Sequence, residues 1–84
     1  MNLYWVADDE AGWGVFVFTN ARNRARYMLL DFKYGSKYID VRAKLIGKTE
    51  EVEQETVVDD EGHPLYPLVQ KLGGKFTDLE GGDE

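Results

Sequence analysis

The side chains in this chain that could do chemistry are mostly carboxylates, and their arrangement is not catalytic. Sixteen acids accompany one histidine, one serine and no cysteine. Zinc needs several Cys or His ligands, so His63, alone and followed by Pro64, is expected to be a surface or capping residue. Ser36, in the Gly35-Ser36-Lys37 turn, can be drawn into a nucleophilic triad with His63 and an acid, but no spacing favours it. Asp8-Asp9-Glu10 and Asp59-Asp60-Glu61 could meet a hard cation, yet neither has the alternating oxygen ligands of a calcium loop. Gly12-Trp13-Gly14 leads into a strand pattern rather than a helix, so it is no phosphate-binding loop. No carboxylate pair is marked out by an apolar context of the kind that tunes general acids and bases. The expectation is a protein that is not an enzyme and uses no metal or cofactor.

What remains is binding, and the charges are segregated. The net charge of −6 conceals a basic stretch from Arg22 to Lys48, with eight of the ten basic residues against Asp31 and Asp40. Glu50 to Glu61 then holds seven carboxylates and no cation. Two readings follow. In the first, Glu50, Glu51, Glu53, Glu55, Asp59, Asp60 and Glu61 form a negative edge for a basic protein surface, imitating a row of phosphates. Its plain alternative is a solvated edge strand whose glutamates only pair with Arg42 and Lys44. In the second, Arg22, Arg24, Arg26, Lys33 and Lys37, interspersed with Tyr27, Tyr34 and Tyr38, bind nucleic acid by phosphate contact and stacking. Overall negative charge opposes nonspecific nucleic-acid binding, so the acidic reading ranks first.

The elements that must position these residues are legible in the spacing. Ala21, Ala25, Met28, Leu29 and Phe32 recur on one helical face, with Thr19 or Asn20 as cap and Gly35 as stop. Arg22, Arg26 and Lys33 flank that stripe, and Leu30 and Tyr27 are expected to point away from the core. Asn2 to Ala7 and Trp13 to Phe18 alternate as strands. The second is apolar on both faces, which requires cover on both: a second helix, a long loop or another molecule, hence an expected interface. Tyr38 to Ile46 is a third strand with Ile39, Val41, Ala43 and Leu45 facing inward. Gly47-Lys48 suits a two-residue hairpin turn, which would pair Lys44 with Glu51, Arg42 with Glu53 and Ala43 with Val52. That makes Thr49 to Val58 a fourth, edge strand. Pro64 opens a second helix carrying Leu65, Leu68, Val69 and Leu72, stopped by Gly73-Gly74. Lys75-Phe76-Thr77 could add a short last strand.

The predicted fold is α+β: an antiparallel sheet of four to five strands in ββαββαβ order, with one main helix and a short second one. Residues 1–78 form a single domain and 79–84 an acidic flexible tail. No apolar run approaches the roughly 18 residues of a membrane span, and the start lacks the pattern of a signal peptide. The absence of cysteine fits a reducing compartment, so the expected location is the cytoplasm.

This order of elements resembles that of small α+β proteins of bacterial phages and mobile elements. The pieces that carry the resemblance are Leu3-Tyr4-Trp5-Val6, Trp13 to Phe18, Ala21 to Ala25, Tyr38-Ile39-Asp40-Val41-Arg42-Ala43 and Leu68 to Phe76. They are patterns of core residues and imply a shared fold more than a shared site. The resemblance implies a context in which small acidic proteins inhibit host defence, anti-CRISPR proteins among them. The acidic stretch is not part of the pattern, so a function resting on it is not carried over. The leading expectation is a phage-type inhibitor that binds a nucleic-acid-dependent defence effector, or its nucleic-acid-binding subunit, in the host cytoplasm. The alternatives are a small nucleic-acid-binding accessory protein using the arginine helix, and a structural homodimer joined through the sheet.

Overall fold

Two strands buried on both faces occupy the middle of the structure. The computed structural model describes residues 1–8, 12–32 and 41–76. Strands β1 (Asn2–Asp8) and β2 (Trp13–Thr19) form an antiparallel hairpin in which Leu3 lies opposite Phe18 and Trp5 opposite Phe16. Helix α1 (Arg22–Phe32) follows, then β3 (Val41–Lys48), β4 (Thr56–Val58) and helix α2 (Tyr66–Lys71). The sheet order is β3-β1-β2-β4, antiparallel at each junction. The chain is thus an α+β fold with one main helix, as expected. Among the described residues no helix is long and apolar enough to cross a membrane.

Because side chains alternate across a strand, the central hairpin presents two apolar faces, and the chain covers both. On one face Tyr4, Val6, Val15 and Val17 meet Ala25 and Leu29 of α1, with Val41 of β3 beside them. On the other face Leu3, Trp5, Ala7, Phe16 and Phe18 meet Tyr66 and Val69 of α2, together with Val52 and Val58. Phe76 closes that second layer, edge-on to Trp5 (5.9 Å between centroids) and Phe16 (5.0 Å) and tilted on Tyr66 (5.2 Å). Contacts of this kind contribute roughly 0.5–1.5 kcal/mol each beyond area burial. The two-sided second strand is therefore satisfied within the molecule, and it no longer argues for an external interface.

The expected hairpin between the third and fourth strands does not form. Gly47 and Lys48 belong to β3, which pairs with β1 rather than β4: Lys44 lies opposite Trp5, Ala43 opposite Val6 and Arg42 opposite Ala7. The pairs Lys44–Glu51, Arg42–Glu53 and Ala43–Val52 are absent accordingly. Only Thr56–Val58 of the predicted Thr49–Val58 strand is extended in the sheet, against Phe16–Phe18 of β2. A bulge at Ile46 shifts the register, since Leu3 faces Gly47 while Tyr4 faces Leu45. It turns Ile46 toward the α2 layer, where Leu72 packs near Gly47.

Smaller differences have local causes. Helix α1 begins at Arg22 and Ala21 is exposed, because Thr19 is still part of β2. Leu30, expected to face outward, is half-buried against the α1-side cluster. The predicted cap at Gly35, the first part of the third strand, the Phe32 side chain and the tail lie outside the described residues. Pro64 sits in the turn before α2, and Pro67 takes the second helical position. Lys75 and Phe76 are not in a strand, and Thr77 lies outside the described residues.

The end of α2 is set by its glycines. The Gly73 N–H donates to the Gln70 carbonyl (3.0 Å) and that of Gly74 to the Val69 carbonyl (2.9 Å), with Gly73 at φ +104°. This is the Schellman arrangement, which satisfies the last free carbonyls of a helix. It also delivers Gly74 into the core, where a Cβ would stand 2.6 Å from Phe16 Cε1 and 2.7 Å from Val69 Cγ1. At Gly14 a Cβ would meet the Trp5 ring at 2.7 Å and the Val6 carbonyl oxygen at 2.8 Å. Gly14→Ala and Gly74→Ala should each cost about 1–3 kcal/mol, the usual penalty of overpacking. Urea denaturation checks this, and a loss well below that range in both variants would mean that these contacts relax freely.

Candidate functional site: an acidic rim

Strand β3 lies on one edge of the sheet and β4 on the other, so the chain between them must cross the end of the sheet. Residues 49–55 make that crossing, past the start of β1 and the end of β2. Three attachments hold it. Thr49 and Met1 exchange main-chain hydrogen bonds of 2.9 and 2.6 Å, extending the β1–β3 ladder by one step. Val52 is buried in the α2-side core. At the far end Glu55 accepts hydrogen bonds from the Thr19 hydroxyl and from Arg24 Nε, the latter at 3.1 and 3.2 Å.

Between these anchors Glu50, Glu51 and Glu53 are exposed. The Glu51 N–H donates to Thr49 Oγ1 (3.1 Å), which fixes the backbone and leaves the carboxylate outside. Asp59, Asp60 and Glu61 follow β4 and are exposed as well. Asp60 Oδ1 accepts from the Gly62 N–H (2.8 Å), and His63 Nδ1 accepts from the Leu65 N–H (3.1 Å) at the entry to α2. His63 thus braces the turn that leads into α2. The seven carboxylates are therefore not a row on one strand. They form a rim of two parts, one along the sheet end and one after the β4 edge. Of the seven, Glu55 alone makes an ion pair with a described residue, Arg24.

The arginines of the alternative site are distributed differently. Arg22 is exposed, whereas Arg24 is tied to Glu55. Arg26 is half-buried and its Nε donates to the Val41 carbonyl (2.9 Å), linking α1 to β3. Tyr27 is 53% exposed on the same helix. Lys33, Lys37, Tyr34 and Tyr38 lie outside the described residues. Of this site's three described arginines, two are thus engaged within the molecule. No group of three or more His, Cys, Asp or Glu side chains suited to a metal ion occurs among the described residues.

The Thr19–Glu55–Arg24 contact is the feature that sequence reasoning missed. Its partners are 36 and 31 residues apart, and no local pattern announces them. Its logic is electrostatic. The first turn of α1 contains no acid and begins with Arg22 and Arg24, cations at the positive end of the helix dipole. Glu55 brings an anion to that turn from a distant segment. The Thr19 hydroxyl bond, reinforced by Arg24 and opposed by partial desolvation, holds the Glu55 carboxyl below its ordinary value.

A carboxyl whose folded pKa is depressed stabilises above its unfolded value, and that contribution disappears as pH falls through the folded value. Wild type should therefore exceed Glu55→Gln in stability at about pH 7, by no more than about 1 kcal/mol for so exposed a pair. The two denaturation curves should converge on acidification below the ordinary glutamate range. A gap that persisted unchanged into strong acid would show that charge is not its source. No family model matches this chain, and comparison with curated proteins and with solved structures finds none similar to it.

Proposed function

We propose that this protein is a non-enzymatic inhibitor of the phage type, acting inside a bacterial host on a nucleic-acid-dependent defence complex. Its acidic rim docks on the cationic surface that otherwise holds nucleic acid. The observation that carries the reading is the state of the rim: Glu50, Glu51 and Glu53 are exposed on an anchored segment and make no ion pair among the described residues. The cross-strand partners expected for Glu51 and Glu53, Lys44 and Arg42, lie on β3 beside β1. The plain alternative of an edge strand pairing with its own cations is thereby weakened.

The physical gain of such docking is electrostatic. Carboxylates fixed on a backbone anchored at both ends can accept hydrogen bonds from arginine guanidinium groups, and they meet a channel whose field attracts polyanions. Glu55 remains part of the scaffold because Thr19 and Arg24 already hold it. Glu50, Glu51 and Glu53 are the residues through which the partner is felt, with Asp59, Asp60 and Glu61 extending the field. The class of target, a defence effector, comes from the resemblance to phage proteins.

The test is a phage challenge of bacteria whose CRISPR immunity blocks plaque formation. Expression of the protein should restore plaques, and the triple variant Glu50→Lys/Glu51→Lys/Glu53→Lys should abolish that rescue while its circular dichroism and melting stay those of wild type. Restoration that survives the triple reversal would remove the rim as the docking element. Failure to restore plaques in strains carrying each available type of CRISPR effector would remove the proposed target.

A further inference from the structure

The open side of β3 is chemically the opposite of the rim, and its main chain is set up to pair. Met1 and Thr49 exchange both main-chain hydrogen bonds. In an antiparallel ladder such pairs alternate with pairs whose N–H and C=O point away from the partner strand. Counting through the bulge at Ile46, Trp5–Lys44 and Ala7–Arg42 are the bonded pairs. Leu45, Ala43 and Val41 then aim their main-chain groups away from β1. The hydrogen bond from Arg26 Nε to the Val41 carbonyl agrees with this parity, because a carbonyl engaged by β1 would point the other way. Among the described residues no strand lies beyond β3. Its side chains are basic on the α2 side, with Arg42 and Lys44 exposed, and on the α1 side Lys48 is exposed and Leu45 is 43% exposed.

We infer that β3 accepts an extended acidic peptide by antiparallel strand addition, at a site separate from the rim and independent of the function proposed above. Peptide residues opposite Ala43 and Leu45 exchange main-chain hydrogen bonds with them, and apolar side chains at those positions lie beside Leu45. The residue between them carries its carboxylate toward Lys44, opposite charges across an antiparallel pair. A second copy of this chain is the poorer occupant. Two β3 strands placed antiparallel would set lysines and arginine against lysines and arginine.

The probe is the capped peptide Val-Glu-Val-Glu-Val-Glu-Val, added to isotope-labelled protein with amide hydrogen exchange read by nuclear magnetic resonance. Protection should rise at the Ala43 and Leu45 amides and not on α1. Methylating the peptide nitrogens of the valines should abolish binding, whereas methylating those of the glutamates should leave it, because only one alternate set of amides faces β3. Lys44→Glu, an exposed change that leaves the fold intact, should weaken the acidic peptide by about tenfold or more. It should also improve a peptide with Lys in place of Glu. No binding, equal loss from both methylation patterns, or protection confined to other elements would overturn the proposal. So would a concentration-dependent dimer that protects the same amides without peptide, which would assign the edge to a second copy.

Discussion

Everything in this molecule depends on a hairpin that must be covered on both faces. In β1 the residues from Leu3 to Asp8 are all buried, and in β2 those from Val15 to Thr19. A two-stranded ribbon is marginally stable at best alone in water. Its apolar side chains are worth roughly 1.5–3 kcal/mol each only when both layers are present. Helix α1 supplies one layer. The other is assembled from α2, Val52, Val58 and Phe76, pieces drawn from across the second half of the chain. The hairpin has two lateral edges as well, and these are taken by β3 and β4.

That last requirement explains why local reading of the third and fourth strands failed while the rest was legible. Alternation in the first two strands, the helical stripe at Ala25 and Leu29, and the glycine stop after Leu72 are short-range signals, and each marks its element. The proposed β3–β4 hairpin was also locally sound, with a glycine at the turn and opposite charges across the register. It lost to a competition that no local window displays. Placing β4 outside β3 would leave β2 as an edge, with the main chain of Phe16 to Phe18 unpaired. Dividing β3 and β4 between the two sides of the hairpin closes both edges. All seven predicted rim residues consequently fall outside the sheet, with Glu55 and Asp59 flanking a strand of only three residues.

The same topology writes the charge layout. Once β3 and β4 stand at opposite edges, the connection between them has to skirt the sheet end, and a segment there is solvated on its outer side. Polar residues are what such a path tolerates, with one apolar side chain, Val52, turned in as an anchor. Glu55 shows how far this goes, since its carboxylate answers a defect elsewhere: a helix that begins with arginines. The remaining glutamates answer nothing within the described residues. Solubility alone would be served by mixed charges scattered over the surface. A run of carboxylates with no interspersed cation, fixed at both ends by Thr49 and Glu55, builds a field of one sign.

A basic β3 edge and an acidic rim along the sheet end and past β4 also give the molecule a direction. Lysine on an edge strand is a common means of discouraging unwanted pairing, and against another copy of β3 it does so by repulsion. Against an acidic strand the same residues attract, so the protection is selective rather than general. The field of the rim has the converse sign and repels polyanions. A net charge of −6 therefore understates what the chain can distinguish. Salt screens exposed charges beyond roughly 8 Å at physiological ionic strength, so each field is felt only at close range.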